Sequence, residues 1–186
     1  MEKLTIIGKK NVGKSSLFNL LTKTKKALIS SYEGYTRDYN NKITKINSCI
    51  CEIIDTAGIG YEKSDLNILS LKQTWGIIKN STIILYLFDI NKEINFIDIN
   101  IINIIKKLKK KIIYIINKID CLNDQELYTL TQFHKLKQPI FISIKQKLGI
   151  QTLLLAIENK LISQQKNKLN TKIYHKITIL GRPNVG

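Results

Sequence analysis

The sequence predicts an α/β domain: a doubly wound, mostly parallel sheet of about six strands with one antiparallel edge strand and helices on both faces. Apolar strand-like runs alternate with helix-like segments along the chain. Most of the strand-like runs are continuous and rich in β-branched residues, which is typical of strands buried on both faces of a sheet. The predicted strands are Lys3–Ile7, Asn41–Asn47, Cys49–Asp55, Thr82–Asp89, Lys111–Asn117 and Ile140–Ser143.

The segments between and after these strands predict helices. Asn95 directly precedes one of them and has the side chain of an N-cap residue. The last helix is expected to pack against the sheet, because its apolar residues share one face. Those residues are Leu153, Leu154, Ile157 and Leu161. The predicted helices are Ser15–Leu21, Leu66–Ile78, Phe96–Leu108, Asp124–His134 and Ile150–Gln165.

A glycine-rich motif joins the first predicted strand to the first predicted helix. Its pattern, G-x-x-x-x-G-K-S, predicts a loop that cradles phosphate groups when a strand precedes it and a helix follows. The backbone N–H groups turn inward, and the helix N-terminus adds partial positive charge. Lys14 can reach the β- and γ-phosphates, and the Ser15 hydroxyl can ligate Mg²⁺. The alternative is an ordinary glycine turn. The predicted binding residues are Gly8, Lys9, Lys10, Asn11, Val12, Gly13, Lys14, Ser15 and Ser16.

A second motif, D-x-x-G, follows the third predicted strand. Asp55 can hold Mg²⁺ through water, and the Gly58 N–H can meet a γ-phosphate. An isolated D-x-x-G is more often a turn than a site, so it gains meaning from the phosphate loop. Thr36, in the loop after the first helix, is the candidate whose hydroxyl completes the Mg²⁺ shell; its alternative is an ordinary loop threonine. The motif and its next residue are Asp55, Thr56, Ala57, Gly58 and Ile59.

Two further motifs at strand ends predict a base pocket. The Asp120 carboxylate can accept hydrogen bonds from guanine N1–H and its exocyclic amine, whereas adenine offers an acceptor and a C–H there. Asn117 can bond the purine N7 region and nearby loops, and the stem of Lys118 can lie over the ring. A later segment can close the pocket through backbone N–H groups. The alternative for the Asn117 motif is a strand-end turn, and the later segment is a weak signal by itself. The two motifs are Asn117, Lys118, Ile119, Asp120 and Ser143, Ile144, Lys145.

The beginning of the phosphate-loop motif recurs near the end of the chain. Ile177–Gly186 parallels Leu4–Gly13, about one domain length later. We therefore predict a complete domain over residues 1–163, a polar linker over 164–172, and the first strand and partial phosphate loop of a second domain over 173–186. The chain is then expected to be a fragment of a longer protein.

Composition limits the classes of protein that fit. The formal net charge is +16, which attracts nucleic acid, although Arg37 and Arg182 are the only arginines and the lysine excess accompanies an Ile and Asn bias. We interpret the lysine run over residues 106–111 as a solvated helix end, with nucleic-acid contact as the alternative. No apolar run is long enough for a membrane helix, no signal peptide is visible, and the three cysteines match neither a metal site nor a disulfide framework. We expect a cytoplasmic chain that binds no membrane.

The ordered set of motifs resembles the translation-factor-related (TRAFAC) GTPases. Residues 34–38 and 55–59 look like the Era-like branch, and the second loop start narrows the resemblance to the double-domain Der (EngA) family. The resemblance implies a P-loop G domain that binds GTP, GDP and Mg²⁺. It also implies a molecular switch in assembly of the large ribosomal subunit, with contacts to that subunit or its rRNA made largely outside this chain. We expect the chain to be a monomer.

The resemblance also suggests how hydrolysis would proceed. Ile59 stands where Ras-like enzymes have the glutamine that orients water. In relatives with an asparagine at the position of Asn11, that residue ligates K⁺ between the β- and γ-phosphates, which neutralises developing charge. We therefore expect slow, K⁺-stimulated hydrolysis, and we interpret Arg37 as structural. The expected catalytic residues are Lys14, Thr36, Gly58 and Asn11.

Three other functions remain open at this point. Another Era-like GTPase, of the tRNA-modification or Era type, shares most of the motifs, but the repeated loop start argues against it. A GTP-sensing module with negligible turnover is compatible with Ile59. An ATP-binding P-loop protein is the remaining alternative, and Asp120 argues against it.

Overall fold

A computed structural model of the chain describes residues 1–22, 39–56, 74–121, 133 and 136–169. Its helices are α1 (Lys14–Thr22), α2 (residues 74–80), α3 (Phe96–Lys107) and α4 (Ile150–Leu169), with a 3₁₀ turn at Ile119–Cys121. Its strands are β1 (Glu2–Gly8), β2 (Tyr39–Ile46), β3 (Cys49–Thr56), β4 (Ile83–Asp89), β5 (Lys111–Asn117) and β6 (Ile140–Phe141).

The strands form one six-stranded sheet in the order β2-β3-β1-β4-β5-β6. Neighbours from β3 to β6 are parallel, and β2 alone among them runs antiparallel, against β3. This arrangement confirms the predicted fold class. The carboxyl ends of β1, β3, β4 and β5 meet at one edge of the sheet, where the register sets Ile6 beside Asp55 and Asp89 beside Asn117.

Two apolar clusters hold the helices to the two faces of the sheet. One contains α1 and α4 residues, including the fully buried Leu17, Leu153, Ile157 and Leu161. The other contains α2 and α3 residues, including Ile78 and Ile105. All seven residues of β4 are buried, as expected of a central strand covered on both sides. The predicted stripe of α4 therefore contacts the sheet as expected.

The start of α3 is fixed by a capping box. The Asn95 side chain accepts a hydrogen bond from the Asp98 backbone N–H, and the Asp98 carboxylate accepts one from the Asn95 N–H. This pair satisfies two backbone donors that a helix start otherwise leaves without partners. The predicted N-cap at Asn95 is confirmed.

The carboxyl-terminal elements differ from the prediction in length. β6 ends at Phe141 rather than at Ser143, because Ser143 forms an isolated bridge with Leu148 across a tight loop. Gly149 closes that loop with a φ of 67°, where a Cβ would lie 2.2 Å from the Phe141 carbonyl oxygen. α4 continues to Leu169, across the first part of the predicted linker, because Gln and Lys sustain a helix without an apolar stripe.

Several other predicted features can be located only in part. The helix predicted over Leu66–Ile78 is observed from residue 74, whereas most of Asp124–His134 and all of residues 173–186 lie outside the described residues.

Cys49 and Cys51 are buried and free, and burial raises the pKa of the Cys51 thiol to about 12. Within the described ranges, no helix combines the length and apolar character that crossing a bilayer demands.

Candidate functional site

The phosphate loop follows β1 and depends on backbone conformations that favour glycine. Gly8 has a φ of 154°, and a Cβ there would lie 2.3 Å from the Leu87 carbonyl oxygen. Gly13 has a φ of 104°, and its Cβ would lie 2.6 Å from Asn117 Nδ2. Asn11 adopts a left-handed conformation with a φ of 66° and is exposed. The loop is therefore pressed against β4 and β5, and neither glycine position has room for a side chain.

Two buried charges lie where the phosphate loop meets β3. The side chain of Lys14 is only 7% exposed, and its Nζ donates a hydrogen bond to the Lys9 carbonyl oxygen at 2.8 Å. Burial lowers the pKa of Lys14, although the nearby Asp55 opposes this shift. Burial likewise raises the pKa of Asp55, against the effects of a hydrogen bond from Ser15 and the charge of Lys14. Both charged forms therefore lack the stabilisation that water would give.

One oxygen of Asp55 lacks the partner that a buried acceptor needs. Within the described part of the chain, Asp55 Oδ1 is buried and accepts no hydrogen bond. An unsatisfied buried polar atom costs about 1–3 kcal/mol, and such atoms concentrate where a water or an ion belongs. Ser15, the predicted Mg²⁺ ligand, is hydrogen-bonded to the same carboxylate. This donor set of a hydroxyl and a carboxylate fits the oxygen ligands that Mg²⁺ prefers.

Asn117 joins two loops to the end of β5. Its Nδ2 donates to the Val12 carbonyl oxygen at 3.0 Å, and its Oδ1 accepts from the Ile144 N–H at 3.2 Å. The side chain is 4% exposed, so water competes little for these bonds. The phosphate loop, the end of β5 and the loop after β6 therefore meet at one amide.

The Asp120 carboxylate lies in the 3₁₀ turn beyond β5 and is held by Ser143. The Ser143 hydroxyl donates to Asp120 Oδ1 at 2.6 Å and accepts from the Gln146 N–H at 3.0 Å. This hydrogen bond is the main reason why the pKa of Asp120 is lowered, with Lys145 and Lys118 adding to it. The carboxylate is partly exposed and ionised at neutral pH, which is the state needed to accept hydrogen bonds from guanine.

Asp89, which belongs to none of the predicted motifs, forms an ion pair with Lys118. Lys118 Nζ lies 2.6 Å from Asp89 Oδ2, while Asp89 Oδ1 accepts from the Asn91 N–H at 3.1 Å. Lys118 itself has a φ of 70°. The signal that could have identified Asp89 is its position: it is an aspartate that ends a fully apolar strand, next to Asn117 in the register.

Lys9 connects the phosphate loop to the start of α3, through residues that sequence reasoning also missed. Lys9 Nζ lies 2.6 Å from Asp98 Oδ2 and 3.1 Å from the Glu93 carbonyl oxygen. Asp98 is fully buried, and its Oδ1 accepts from the Tyr86 hydroxyl at 3.0 Å. The Asn95-x-x-Asp98 capping pattern was the available signal. Lys9 therefore anchors the phosphate loop to a buried carboxylate, Asp98, both oxygens of which accept hydrogen bonds.

The remaining predicted residues divide between the described ranges and the rest. The Thr56 hydroxyl donates to the Ile6 carbonyl oxygen at 2.8 Å, so it joins β3 to β1. Ser16 is exposed in the first turn of α1, Ile119 is in the 3₁₀ turn, and Lys145 is exposed after Ser143. Thr36, Arg37, Ala57, Gly58 and Ile59 lie outside the described residues, so their roles stay predictions.

Comparison with known proteins gives relatives over nearly the whole chain. GTPase Der of Buchnera aphidicola (strain APS) is 36% identical over 198 residues, an alignment that covers 98% of this chain and 43% of the relative. GTPase Der of Nitratiruptor sp. is 34% identical over 215 residues, which is 100% of this chain and 45% of the relative. The chain thus spans less than half the length of these curated relatives.

Solved structures and a family model agree with these relatives. A variant of Aquifex aeolicus Era bound to GDP and AlF₄⁻ superposes with a TM-score of 0.68 at 31% identity, covering 84% of this chain and 56% of that one. Era bound to MgGDPNP and a segment of 16S ribosomal RNA gives the same TM-score at 30% identity, covering 84% and 55%. Residues 3–118 match the family model described as 50S ribosome-binding GTPase. This chain therefore belongs to the 50S ribosome-binding GTPase family, in agreement with the predicted resemblance, and is consistent with a first G domain of GTPase Der.

Proposed function

We propose that this chain binds GTP and GDP together with Mg²⁺, hydrolyses GTP slowly, and acts as a molecular switch in assembly of the large ribosomal subunit. The observation that carries the nucleotide part is the Asn117 amide, which joins the phosphate loop to the loop after β6. It supports a single site in which the phosphate loop and Asp120 serve the same molecule. The family description and the Der relatives support the ribosomal part.

The phosphate end of the proposed site uses the loop backbone, Lys14 and the start of α1. Lys14 is buried, and the helix begins at this residue, so its first N–H groups face the loop. An anion there would offset the desolvation that lowers the pKa of Lys14. Ser15 and Asp55 would hold Mg²⁺, with Thr36 proposed as a further ligand. When bound, Mg²⁺ supplies positive charge beside the β- and γ-phosphate oxygens.

The base end of the proposed site discriminates guanine from adenine. Asp120 accepts the Ser143 hydroxyl through Oδ1, and its remaining acceptor capacity would receive the guanine N1–H and amine. Its lowered pKa supports the ionised, acceptor-only form. Lys118 would cover the base, with its ammonium group fixed by Asp89. Ile144 and Lys145 are proposed to close the pocket through backbone N–H groups.

For the hydrolytic step, we propose that Asn11, Lys14, Thr36 and Gly58 stabilise the charge that develops on the phosphates. Asn11 is exposed in the loop with its backbone held in a left-handed turn, so its amide oxygen is open to a cation from solvent. Asn11 would therefore hold K⁺, which supplies the charge that an arginine provides in other GTPases. Ile59 offers no polar group to orient water, which is the reason for proposing slow turnover.

Replacement of Asp120 tests the nucleotide part of the proposal. Asp120→Asn would lower GTP affinity at least about a hundredfold and shift preference toward a xanthine nucleotide, because the amide donates where the carboxylate accepts. Competition titrations with GTP, XTP and ATP measure this shift. Glu158→Gln is a matched control, since Glu158 also accepts a serine hydroxyl at 2.6 Å, from Ser48, but outside the site. Unchanged GTP affinity in Asp120→Asn would refute the assigned role.

A GTP-sensing module with negligible turnover is the second candidate, and Ile59 favours it. Single-turnover hydrolysis at equal concentrations of K⁺ and Na⁺ separates the two functions. The leading proposal expects faster hydrolysis in K⁺, and Asn11→Ala should abolish the difference while leaving GDP affinity within about threefold. Equal and negligible rates in both salts would favour the sensing module.

A further inference from the structure

A groove lined by lysines lies between the end of α3, the beginning of β5 and the middle of α4. Its volume is about 530 Å³. Its lining includes Ile112–Tyr114, Ile140, Thr152 and Ala156. Because β5 runs from this groove toward Asn117, the groove lies at the opposite end of the strand from the nucleotide site. We call it the lysine groove, after the lysines that line it: Lys106, Lys110, Lys137 and Lys160.

The groove exists because β6 is short. β6 pairs with β5 only at Ile115 and Ile116, so among the described residues Lys111–Tyr114 have no neighbouring strand on that side. Pro139 precedes β6 and has no N–H to donate to a ladder. Gln138, directly before Pro139, adopts a left-handed conformation with a φ of 51°, which does not continue a strand. The resulting gap is opened by backbone geometry.

The lysines come from three separate segments, which the lysine run in the sequence did not reveal. Lys106 and Lys110 belong to that run, whereas Lys137 precedes β6 and Lys160 belongs to α4. Within the described ranges, Lys106, Lys137 and Lys160 have no carboxylate at ion-pair distance. Burial lowers the pKa of Lys160, and the charges of Lys111 and Lys137 add to that effect. The fold therefore gathers cations that repel one another, and no described carboxylate lines the groove.

We infer that the lysine groove binds the phosphodiester backbone of RNA. The charge and shape of the groove indicate a polyanion. The choice of RNA among polyanions rests on the proposed ribosomal function. Phosphate groups would supply the missing counter-charge for Lys106, Lys137 and Lys160. The described residues that line the groove include no arginine, and Tyr114 is only 5% exposed, so they offer neither a bidentate base contact nor a ring for stacking. Binding is therefore independent of base sequence.

A triple variant of the full 186-residue chain tests the inference. Anisotropy of a labelled 20-nucleotide poly-U probe is measured at several KCl concentrations for Lys106→Gln/Lys137→Gln/Lys160→Gln. Because three phosphate contacts are removed, the negative slope of log K against log [KCl] becomes less steep by about two. In about 0.1 M KCl, the affinity for the RNA probe falls tenfold to a hundredfold. The matched control is Lys42→Gln/Lys107→Gln/Lys109→Gln, which removes the same charge from exposed lysines, two of them in the same run but outside the groove.

The outcomes separate this inference from the proposed function. Equal loss of RNA affinity in the triple variant and its control would refute the groove, as would absence of RNA binding by the parent chain. A labelled poly-glutamate probe that loses affinity in the triple variant while RNA does not would also refute it, in favour of an acidic protein partner. GDP binding and GTP hydrolysis are measured on the same samples. They should be unchanged, and their failure in the parent chain would count against the proposed function instead.

Discussion

The phosphate end and the base end of the candidate site handle charge in opposite ways. At the phosphate end, Lys14 and Asp55 are buried at 7% and 6% exposure, and the described structure leaves one Asp55 oxygen without a partner. At the base end, Asp120 is partly exposed and held by Ser143, and Lys118 is paired with Asp89. The difference indicates that the phosphate end would be completed by the proposed ligands, whereas the side chains of the base end already hold one another in place without them. Three predictions test this comparison.

The largest effect is expected from Gly13→Ala. The new Cβ would lie 2.6 Å from Asn117 Nδ2 in a backbone with a φ of 104°, so the amide that joins the two ends must move. Such strain costs about 1–3 kcal/mol, and the upper end of this range corresponds to the loss of GDP affinity of about a hundredfold that we expect. Fluorescence titration with a labelled GDP measures it. Gly76→Ala is the control, because a Cβ added there would meet no atom of the described residues within 4 Å and alanine favours a helix.

Asp55→Asn should separate stability from ligand binding at the phosphate end. Burial raises the pKa of Asp55, so the folded chain holds this proton more strongly than the unfolded chain does. The free energy of unfolding of the nucleotide-free chain should therefore fall as pH rises from the ordinary Asp pKa through the raised one. The variant should lack this fall and gain about 1 kcal/mol at neutral pH, while its affinity for Mg²⁺–GTP drops about tenfold or more.

Denaturant titrations across pH measure the first effect, and GTP binding with and without Mg²⁺ measures the second. Glu52→Gln is the control on the same strand, since the Glu52 carboxylate has a partner, the Lys3 ammonium group. A variant that is less stable than the parent at neutral pH would show that Asp55 is already satisfied without a ligand.

The smallest effect is expected from Ser143→Ala at the base end. Its hydroxyl is the first cause of the lowered pKa of Asp120, so the variant should raise that pKa toward its ordinary value. The carboxylate stays ionised at neutral pH, and GTP affinity should fall only about fivefold. A pH series of GTP binding should show the loss of affinity on acidification beginning at a higher pH. Ser163→Ala, which removes a hydroxyl bonded to Lys111 outside the site, is the control.

The residues that sequence analysis identified are those that occur in contiguous motifs. Lys14 and Asp120 could be identified because the motifs place them at set distances from a strand end. The alternation of apolar strand-like and helix-like runs was enough to predict the mostly parallel sheet. Asp89 and Asp98 could not, since each acts through a lysine in another segment, and that contact exists only after folding. The length of β6 could not be predicted either, because Pro139 and the left-handed backbone of Gln138 limit where the strand begins.

The ion pair between the partly exposed Lys9 and the buried Asp98 connects the phosphate loop to α3. The helix has 12 residues, a rod of about 18 Å, and it carries the Lys9 contact at one end and Lys106 at the other. A shift of the phosphate loop would therefore either break this ion pair or move α3 with it. In that way, the position of the loop would affect the position of Lys106 at the far end of the helix.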